Sequence, residues 1–105
     1  MKIYNERHEV RDISKYNSLM QAMQADGWQG AALVAVSCDG ETYQLLNGSH
    51  RIAAARDAEV DAGIVDYIVS EDVYTALVDS CDDDEIAKLL QQYNLTDIYA
   101  SFIGQ

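Results

Sequence analysis

The chain has 105 residues, of which 49% are hydrophobic and 24% are charged, and it carries a formal net charge of −11. This composition excludes an intrinsically disordered chain, and no apolar run approaches the roughly 20 residues of a transmembrane helix. The length predicts one globular domain. The first residues lack the apolar stretch of a secretion signal, so we expect this domain in the cytoplasm, without membrane contact.

Charge is distributed unevenly along the chain. Residues 1–56 contain six acidic and six basic residues, whereas residues 57–105 contain twelve acidic residues and a single basic one, Lys88. A negative field of this kind repels nucleic-acid phosphates, so direct binding to duplex DNA is not expected. An acidic surface commonly serves solubility, and the alternative is binding to a basic protein partner.

The first elements in chain order are a strand and a helix. A short strand is predicted for residues 1–4, and either Asp12 or Ser14 can cap the helix that follows. Gly27 is expected to end this helix. Its apolar residues recur at the spacing of one helical face, namely Tyr16, Leu19, Met20 and Met23.

A β-hairpin is predicted next. Residues 31–37 form an apolar, valine-rich run, and residues 42–46 are a second strand candidate, with Asp39 and Gly40 between them. A tight primed turn needs positive φ angles, which Gly allows and Asp tolerates. The pair therefore predicts such a turn.

A second helix and a further strand follow the hairpin. The helix is predicted to extend from Ser49 to about Ala58, with Ile52 and Ala55 facing inward. Residues 62–69 are rich in β-branched and aromatic side chains, which favours a strand.

The acidic second half is predicted to be helical. Ser70 can cap a short helix that reaches Leu77, and Asp82 with Glu85 has the form of a capping box. This acidic cluster could instead bind a divalent cation, but it lacks the ligand spacing of an EF-hand loop. The second of these helices is expected to end near Asn94, with a buried stripe formed by Ile86, Leu89, Leu90 and Tyr93.

Another apolar group lies near the end of the sequence. Tyr99, Phe102 and Ile103 are predicted to form a last helical turn. This turn either docks on the domain or offers an apolar contact to a partner, which includes a second copy of the chain.

The most informative segment is residues 45–56, where a turn leads into an alanine-rich helix. The free N–H groups and the dipole of a helix start attract an anion. Gly48 would let the backbone approach a ligand closely, and Ser49 would be the N-cap. His50 would donate to a phosphate or act as an acid, and the Arg51 guanidinium would match two phosphate oxygens. The alternative is an ordinary capped amphipathic helix.

Three blocks of the chain follow one another in a specific order. Residues 26–30 read Asp-Gly-Trp-Gln-Gly before the valine-rich strand, residues 46–56 contain Gly-Ser-His-Arg and its alanine helix, and residues 64–69 form a strand. Together they resemble the ParB and sulfiredoxin superfamily, specifically its small ParB-like (ParB N-terminal-like nuclease) proteins, over about residues 1–70. The corresponding box reads Gly-Glu-Arg-Arg in chromosome-partitioning proteins and Gly-Cys-His-Arg in sulfiredoxins.

The resemblance implies a small α/β (α+β) fold with a short mixed sheet, packed helices and a C-terminal helical extension. Residues 1–70 would form the phosphate-binding core, and residues 71–105 an acidic helical extension packed on the same domain. The phosphates of a nucleotide such as ATP, ADP or CTP, accompanied by Mg²⁺, would be held by the four residues of the box: Gly48, Ser49, His50 and Arg51.

The resemblance leaves catalysis open. Ser49 stands where sulfiredoxins have a nucleophilic cysteine and partitioning proteins a carboxylate, so sulfinic acid repair is not expected. Other members of this fold are nucleases or small-molecule kinases, chemistries that need a base and a metal. Candidates for a base, an acid or a Mg²⁺ ligand are Glu6, His8, Glu9, Asp12 and His50; the alternative is that the segment after the first strand simply faces solvent.

Two functions from different classes therefore remain. The first is a ParB-like domain that binds a nucleotide or another phosphorylated ligand at residues 48–51, with phosphoryl-transfer or nuclease activity as an open question. The second is an acidic interaction protein, either an inhibitor that mimics DNA or an antitoxin-like partner of a basic protein, of the kind often encoded by phages and mobile elements.

Overall fold

The computed structural model describes residues 2–7, 11–28, 30–80 and 82–103. Four strands and five helices occur within these ranges. In chain order they are β1 (Ile3–Asn5), α1 (Ile13–Asp26), β2 (Leu33–Ser37), β3 (Thr42–Leu45), α2 (Ser49–Ala58), β4 (Ile64–Ile68), α3 (Glu71–Val78), α4 (Asp83–Gln92) and α5 (Thr96–Ile103).

The strands form one mixed sheet in the order β1-β3-β2-β4. β1 is parallel to β3, β3 is antiparallel to β2, and β2 is parallel to β4. The fold is therefore α+β, as expected. All five residues of β2 are buried, because this central strand is covered on both faces.

Successive side chains of β2 point to opposite faces of the sheet, so the core has a part on each face. Leu33 and Ala35 pack with Leu45 and with Ile52 of α2 on one face, and α1 packs on α2 through Met23. The opposite face forms the largest apolar cluster, in which α3, α4 and α5 cover the sheet: Val34, Val36, Leu46, Val73, Leu77, Ile86, Leu90, Ile98 and Phe102. Residues 71–103 thus supply six of the nine buried residues of this cluster.

Three helix starts follow the predicted capping pattern. The Asp12 side chain accepts from the Lys15 N–H at 3.0 Å, and the Ser70 side chain accepts from the Val73 N–H at 3.3 Å. The Asp82 side chain accepts from the Glu85 N–H at 2.8 Å. The three predicted caps are confirmed. They are predictable because each side chain accepts from a backbone N–H only three residues further along the chain.

The hairpin between β2 and β3 is confirmed, but the predicted primed turn is wrong. The connection spans residues 38–41, and among the described residues of this turn positive φ occurs at Gly40 alone, at 79°. Asp39 accepts from the N–H groups of Glu41 and Thr42 at 2.8 and 3.0 Å. Its carboxylate therefore closes a four-residue turn that does not need a left-handed Asp.

The C-terminal helices differ from the prediction in the buried stripe of α4, where Leu89 is only partly buried. Tyr93, expected in the buried stripe of α4, is 39% exposed, because α4 ends at Gln92 and its last fully buried residue is Leu90. In α5, Phe102 is buried in the core, whereas Ile103 is 58% exposed. The apolar turn therefore docks mainly on the domain. In the described part of the chain, none of the helices has the length and apolarity to cross a bilayer.

Candidate anion-binding site

The predicted phosphate box lies at one edge of the sheet. Because β1 and β3 are parallel, their carboxyl ends meet at this edge. Residues 6–7 follow β1, residues 46–48 follow β3, and α2 begins directly afterwards at Ser49. In sheets of this kind, ligands commonly bind outside the carboxyl ends of strands.

Gly48, not Ser49, is the N-cap of α2, so the predicted cap is wrong by one residue. Gly48 has φ 74° and ψ 32°, a left-handed conformation, while Ser49 is the first helical residue and only 5% exposed. A Cβ atom at position 48 would lie 2.1 Å from Cδ2 of Leu33. The close approach that requires glycine is therefore to the core.

The glycine cap makes α2 different from α1, α3 and α4. It contributes no side-chain hydrogen bond to the helix start. This start opens into a cavity of about 330 Å³, which we call the α2 cavity. The residues that line it are Arg7, Lys15, Leu19, Asn47, Gly48, Ser49, His50, Arg51 and Asp83. All four residues of the predicted box thus share one cavity.

The α2 cavity is basic within an acidic protein. Three of the seven Lys and Arg residues of the chain line it, namely Arg7, Lys15 and Arg51. Among its described lining residues Asp83 is the one carboxylate, and it pairs with Arg7 at 2.5 Å. A concave surface with a surplus of one charge attracts ligands of the opposite charge.

Arg51 turns toward the main chain and an aromatic ring. Its Nη1 donates to the carbonyl of Ala31 at 2.7 Å, and its guanidinium carbon lies 5.4 Å from the centre of the Trp28 ring. Burial lowers the pKa of Arg51, although an arginine stays protonated at neutral pH. Part of the donor fork that was predicted for phosphate is therefore used within the protein.

His50 connects the starts of two helices. Its Nε2 accepts from the backbone N–H groups of Asp12 at 3.0 Å and Arg11 at 3.3 Å. In this arrangement Nε2 carries no proton, so the predicted donation to a phosphate would have to come from Nδ1. His50 thus positions the start of α1 beside the start of α2.

The remaining catalytic candidates do not converge on the α2 cavity. Glu6 forms an ion pair with Arg56 and lines a different cavity. Asp12 caps α1, and His8 and Glu9 lie outside the described residues. Within the described ranges, no group of three or more His, Cys, Asp or Glu side chains is placed to hold a metal ion.

Arg7, Lys15 and Asn47 line the α2 cavity but were not predicted. Arg7 is the second residue after β1, so the reasoning that placed Glu6 near the site could also have found Arg7. The Oδ1 of Asn47 accepts from the Val34 N–H at 3.1 Å, while its buried Nδ2 has no partner among the described residues. The place of Asp83 in this cavity could not be predicted from neighbouring residues, because its partner Arg7 is 76 positions away.

A larger cavity of about 510 Å³ adjoins the first; we call it the α4 cavity. Arg7 and Asp83 line both cavities. The other walls of the α4 cavity come from the ends of β1, β3 and α3 and from the start of α4: Glu6, Arg11, Gln44, Leu45, Leu46, Leu77, Val78, Ser80, Asp82 and Asp84.

Comparisons of the chain with models of protein families, with curated proteins and with solved structures give no match. The interpretation of the site therefore rests on its geometry and its charges. These combine a glycine-capped helix start, a group of basic side chains and a cavity of a size that small ligands occupy.

Proposed function

We propose that the chain binds a phosphorylated ligand, in the first instance a nucleotide, in the α2 cavity. One observation carries the proposal: Arg7, Lys15 and Arg51 gather at a helix start whose cap is a glycine. The starts of α1, α3 and α4 each have their own Asp or Ser cap. Among these four helix starts, the α2 start is thus the one at which an external anion would accept hydrogen bonds in place of a side-chain cap.

The chemistry of the lining residues suits a phosphate. The dipole of the ten-residue helix α2 places partial positive charge at its start. Lys15 would supply a mobile point charge, and Arg7 a planar donor held in place by its bond to the Leu46 carbonyl at 3.4 Å. Charge-assisted hydrogen bonds of this kind are among the stronger polar contacts in proteins.

We also propose that the fold belongs with the ParB and sulfiredoxin superfamily. Supporting this are the mixed sheet and the place of the Gly-Ser-His-Arg turn, directly between β3 and α2. Ser49 is buried, which disfavours nucleophilic chemistry at this position. Mg²⁺ would reach the site with the nucleotide, held mainly by phosphate oxygens and water.

Calorimetric titration with ATP, ADP and CTP in the presence of Mg²⁺ tests the proposal. The informative variant is Lys15→Gln, because Lys15 is exposed and lines the α2 cavity. We expect it to weaken binding about two- to fivefold, the effect of one partly exposed charge. Lys88→Gln makes the same charge change on α4, outside the lining of both cavities, and should leave the affinity unchanged.

Arg51→Ala is a less specific test. This substitution also removes the bond to the Ala31 carbonyl and the contact with Trp28, so a loss of binding could reflect a change in the fold. If no nucleotide binds to the wild-type protein, or if both lysine variants bind equally, the proposal is wrong. Assays for nucleotide hydrolysis and nuclease activity on the same samples test catalysis.

The alternative of an acidic interaction protein stays a prediction. Two acids of the cluster at residues 82–85 already have partners within the chain, since Asp82 caps α4 and Asp83 pairs with Arg7. No described contact favours a basic protein partner over these local roles. A pull-down partner that is released both by salt and by neutralising Asp82, Asp83 and Asp84 would favour it.

A further inference from the structure

Arg7 separates the two cavities. It lies after the carboxyl end of β1, and its side chain is only 16% exposed. One nitrogen, Nη1, lies 3.4 Å from the Leu46 carbonyl and 2.5 Å from Oδ1 of Asp83. Since Arg7 and Asp83 line both cavities, their ion pair forms part of the wall that the α2 and α4 cavities share.

The two partners of this ion pair are held very differently. Arg7 is mostly buried and bonded to a backbone carbonyl, whereas the Asp83 side chain is 76% exposed. Asp83 is also not the cap of α4, because Asp82 fills that role. The Asp83 carboxylate can therefore turn into solvent without uncapping the helix, and ion pairs with an exposed partner contribute little to stability.

The α4 cavity offers a different chemistry from the α2 cavity. Its walls combine the carboxylates of Asp82 and Asp84 with apolar surface from Leu77 and Val78. Carboxylates accept hydrogen bonds, and the apolar side chains can contact a ring or a carbon chain. Such a wall suits an organic group that bears hydroxyl or amino groups.

We propose that the two cavities form one continuous site for a phosphorylated organic molecule, an inference that rests on the proposed phosphate binding. The phosphoryl group replaces the Asp83 carboxylate at Arg7, and the body of the molecule, with its hydroxyl or amino groups, occupies the α4 cavity. Asp83 thus acts as an internal competitor that holds Arg7 when ligand is absent. The ligand class is a phosphate ester with a polar body, such as a nucleoside monophosphate.

Titration with two probes, inorganic phosphate and adenosine monophosphate, tests this inference. Asp83→Asn should tighten the binding of both probes by about two- to fivefold, because the competing carboxylate is gone. The matched control is Asp84→Asn, which makes the same charge change in the same turn of α4 but lines the α4 cavity alone. With inorganic phosphate as the probe, which has no organic body for Asp84 to contact, it should tighten binding clearly less than Asp83→Asn.

A second variant tests where the body lies. Val78 lines the α4 cavity and is 43% exposed, so Val78→Trp should obstruct that cavity without disturbing the core. We expect about fivefold weaker binding of adenosine monophosphate and unchanged binding of phosphate. Val65→Trp, at a 40% exposed position of β4 outside both linings, is the control and should change neither.

The outcomes separate this inference from the proposed function. If phosphate binds but Asp83→Asn behaves like Asp84→Asn, or if Val78→Trp affects both probes equally, the continuous site is wrong and the phosphate site stands. If neither the wild-type protein nor any variant binds phosphate or adenosine monophosphate, the continuous site is wrong, and the proposed function is overturned as well if ATP, ADP and CTP also fail to bind. Circular dichroism of each variant confirms that it is folded before titration.

Discussion

The starts of α2 and α4 both line the α2 cavity but are built in opposite ways. α4 has Asp82 as its N-cap and three acidic residues in its first turn, and the Glu85 N–H donates to the Asp82 carboxylate. α2 begins with Gly48, and the charged side chains around it are mainly basic. A helix start that has its own carboxylate needs no ligand, whereas one with a glycine cap and basic neighbours favours an external anion.

The largest expected effect comes from breaking the glycine cap of α2. Gly48→Ala places a Cβ atom against Leu33 in a left-handed backbone conformation, and we expect the free energy of unfolding to fall by about 3 kcal/mol. Urea denaturation followed by circular dichroism measures this. Gly40→Ala is the control: it has a similar φ of 79° but nothing within 4 Å of the added atom, so it should cost about 1 kcal/mol. Equal losses for both variants would contradict the role assigned to Leu33.

Removing the acidic cap of α4 should have an intermediate effect. Asp82→Ala leaves the Glu85 N–H without its acceptor and should lower the free energy of unfolding by about 1 kcal/mol. Asp84→Ala removes a charge from the same turn without removing a cap, so its loss should stay below about 0.5 kcal/mol. Thermal unfolding distinguishes the two. If Asp84→Ala is the more destabilising, the capping role of Asp82 is wrong.

The smallest effect concerns a carboxylate that serves a turn and not a helix. Hydrogen bonds from the N–H groups of Glu41 and Thr42, and then from the Ser37 hydroxyl, lower the pKa of Asp39. A lowered pKa means that the stabilisation is fully present above about pH 3.9, the ordinary value for Asp, and is lost as the pH falls through the lower value in the folded protein.

Nuclear magnetic resonance titration of the Glu41 and Thr42 amides measures this change. Their shifts should move with the ionisation of Asp39 below the ordinary aspartate range. Asp39→Asn should abolish the titration while leaving the hairpin formed. A midpoint at or above the ordinary value would contradict the hydrogen bonding described for this turn.

Local signals predicted most of the secondary structure. The caps at Asp12, Ser70 and Asp82 are read correctly because each side chain acts on a backbone group in its own turn. The hairpin is also local. The sequence favours Ser49 as the cap because Ser is a common capping residue, whereas the close packing that requires glycine at position 48 is against Leu33, which lies 15 positions earlier along the chain.

The candidate site could be predicted only in part, because its composition depends on long-range pairing. The box at residues 48–51 follows from its own sequence. The pairing of Arg7 with Asp83 joins positions 76 apart, so no local pattern in the sequence predicts it. The sequence predicts that Arg51 faces a ligand. In the structure its guanidinium also donates to the carbonyl of Ala31 and packs on the ring of Trp28, two contacts that no local pattern predicts.

The burial of β2 on both faces has a consequence for dissecting this protein. Leu33, which constrains Gly48, alternates along one strand with Val34 and Val36, whose side chains are covered by α3, α4 and α5. A fragment that ends at residue 70 would expose Val34 and Val36 to water. The destabilised β2 would then no longer hold Leu33 against Gly48 at the start of α2. Residues 1–70 are therefore expected to aggregate when expressed alone, so the part of the chain that contains residues 48–51 is not a separable module.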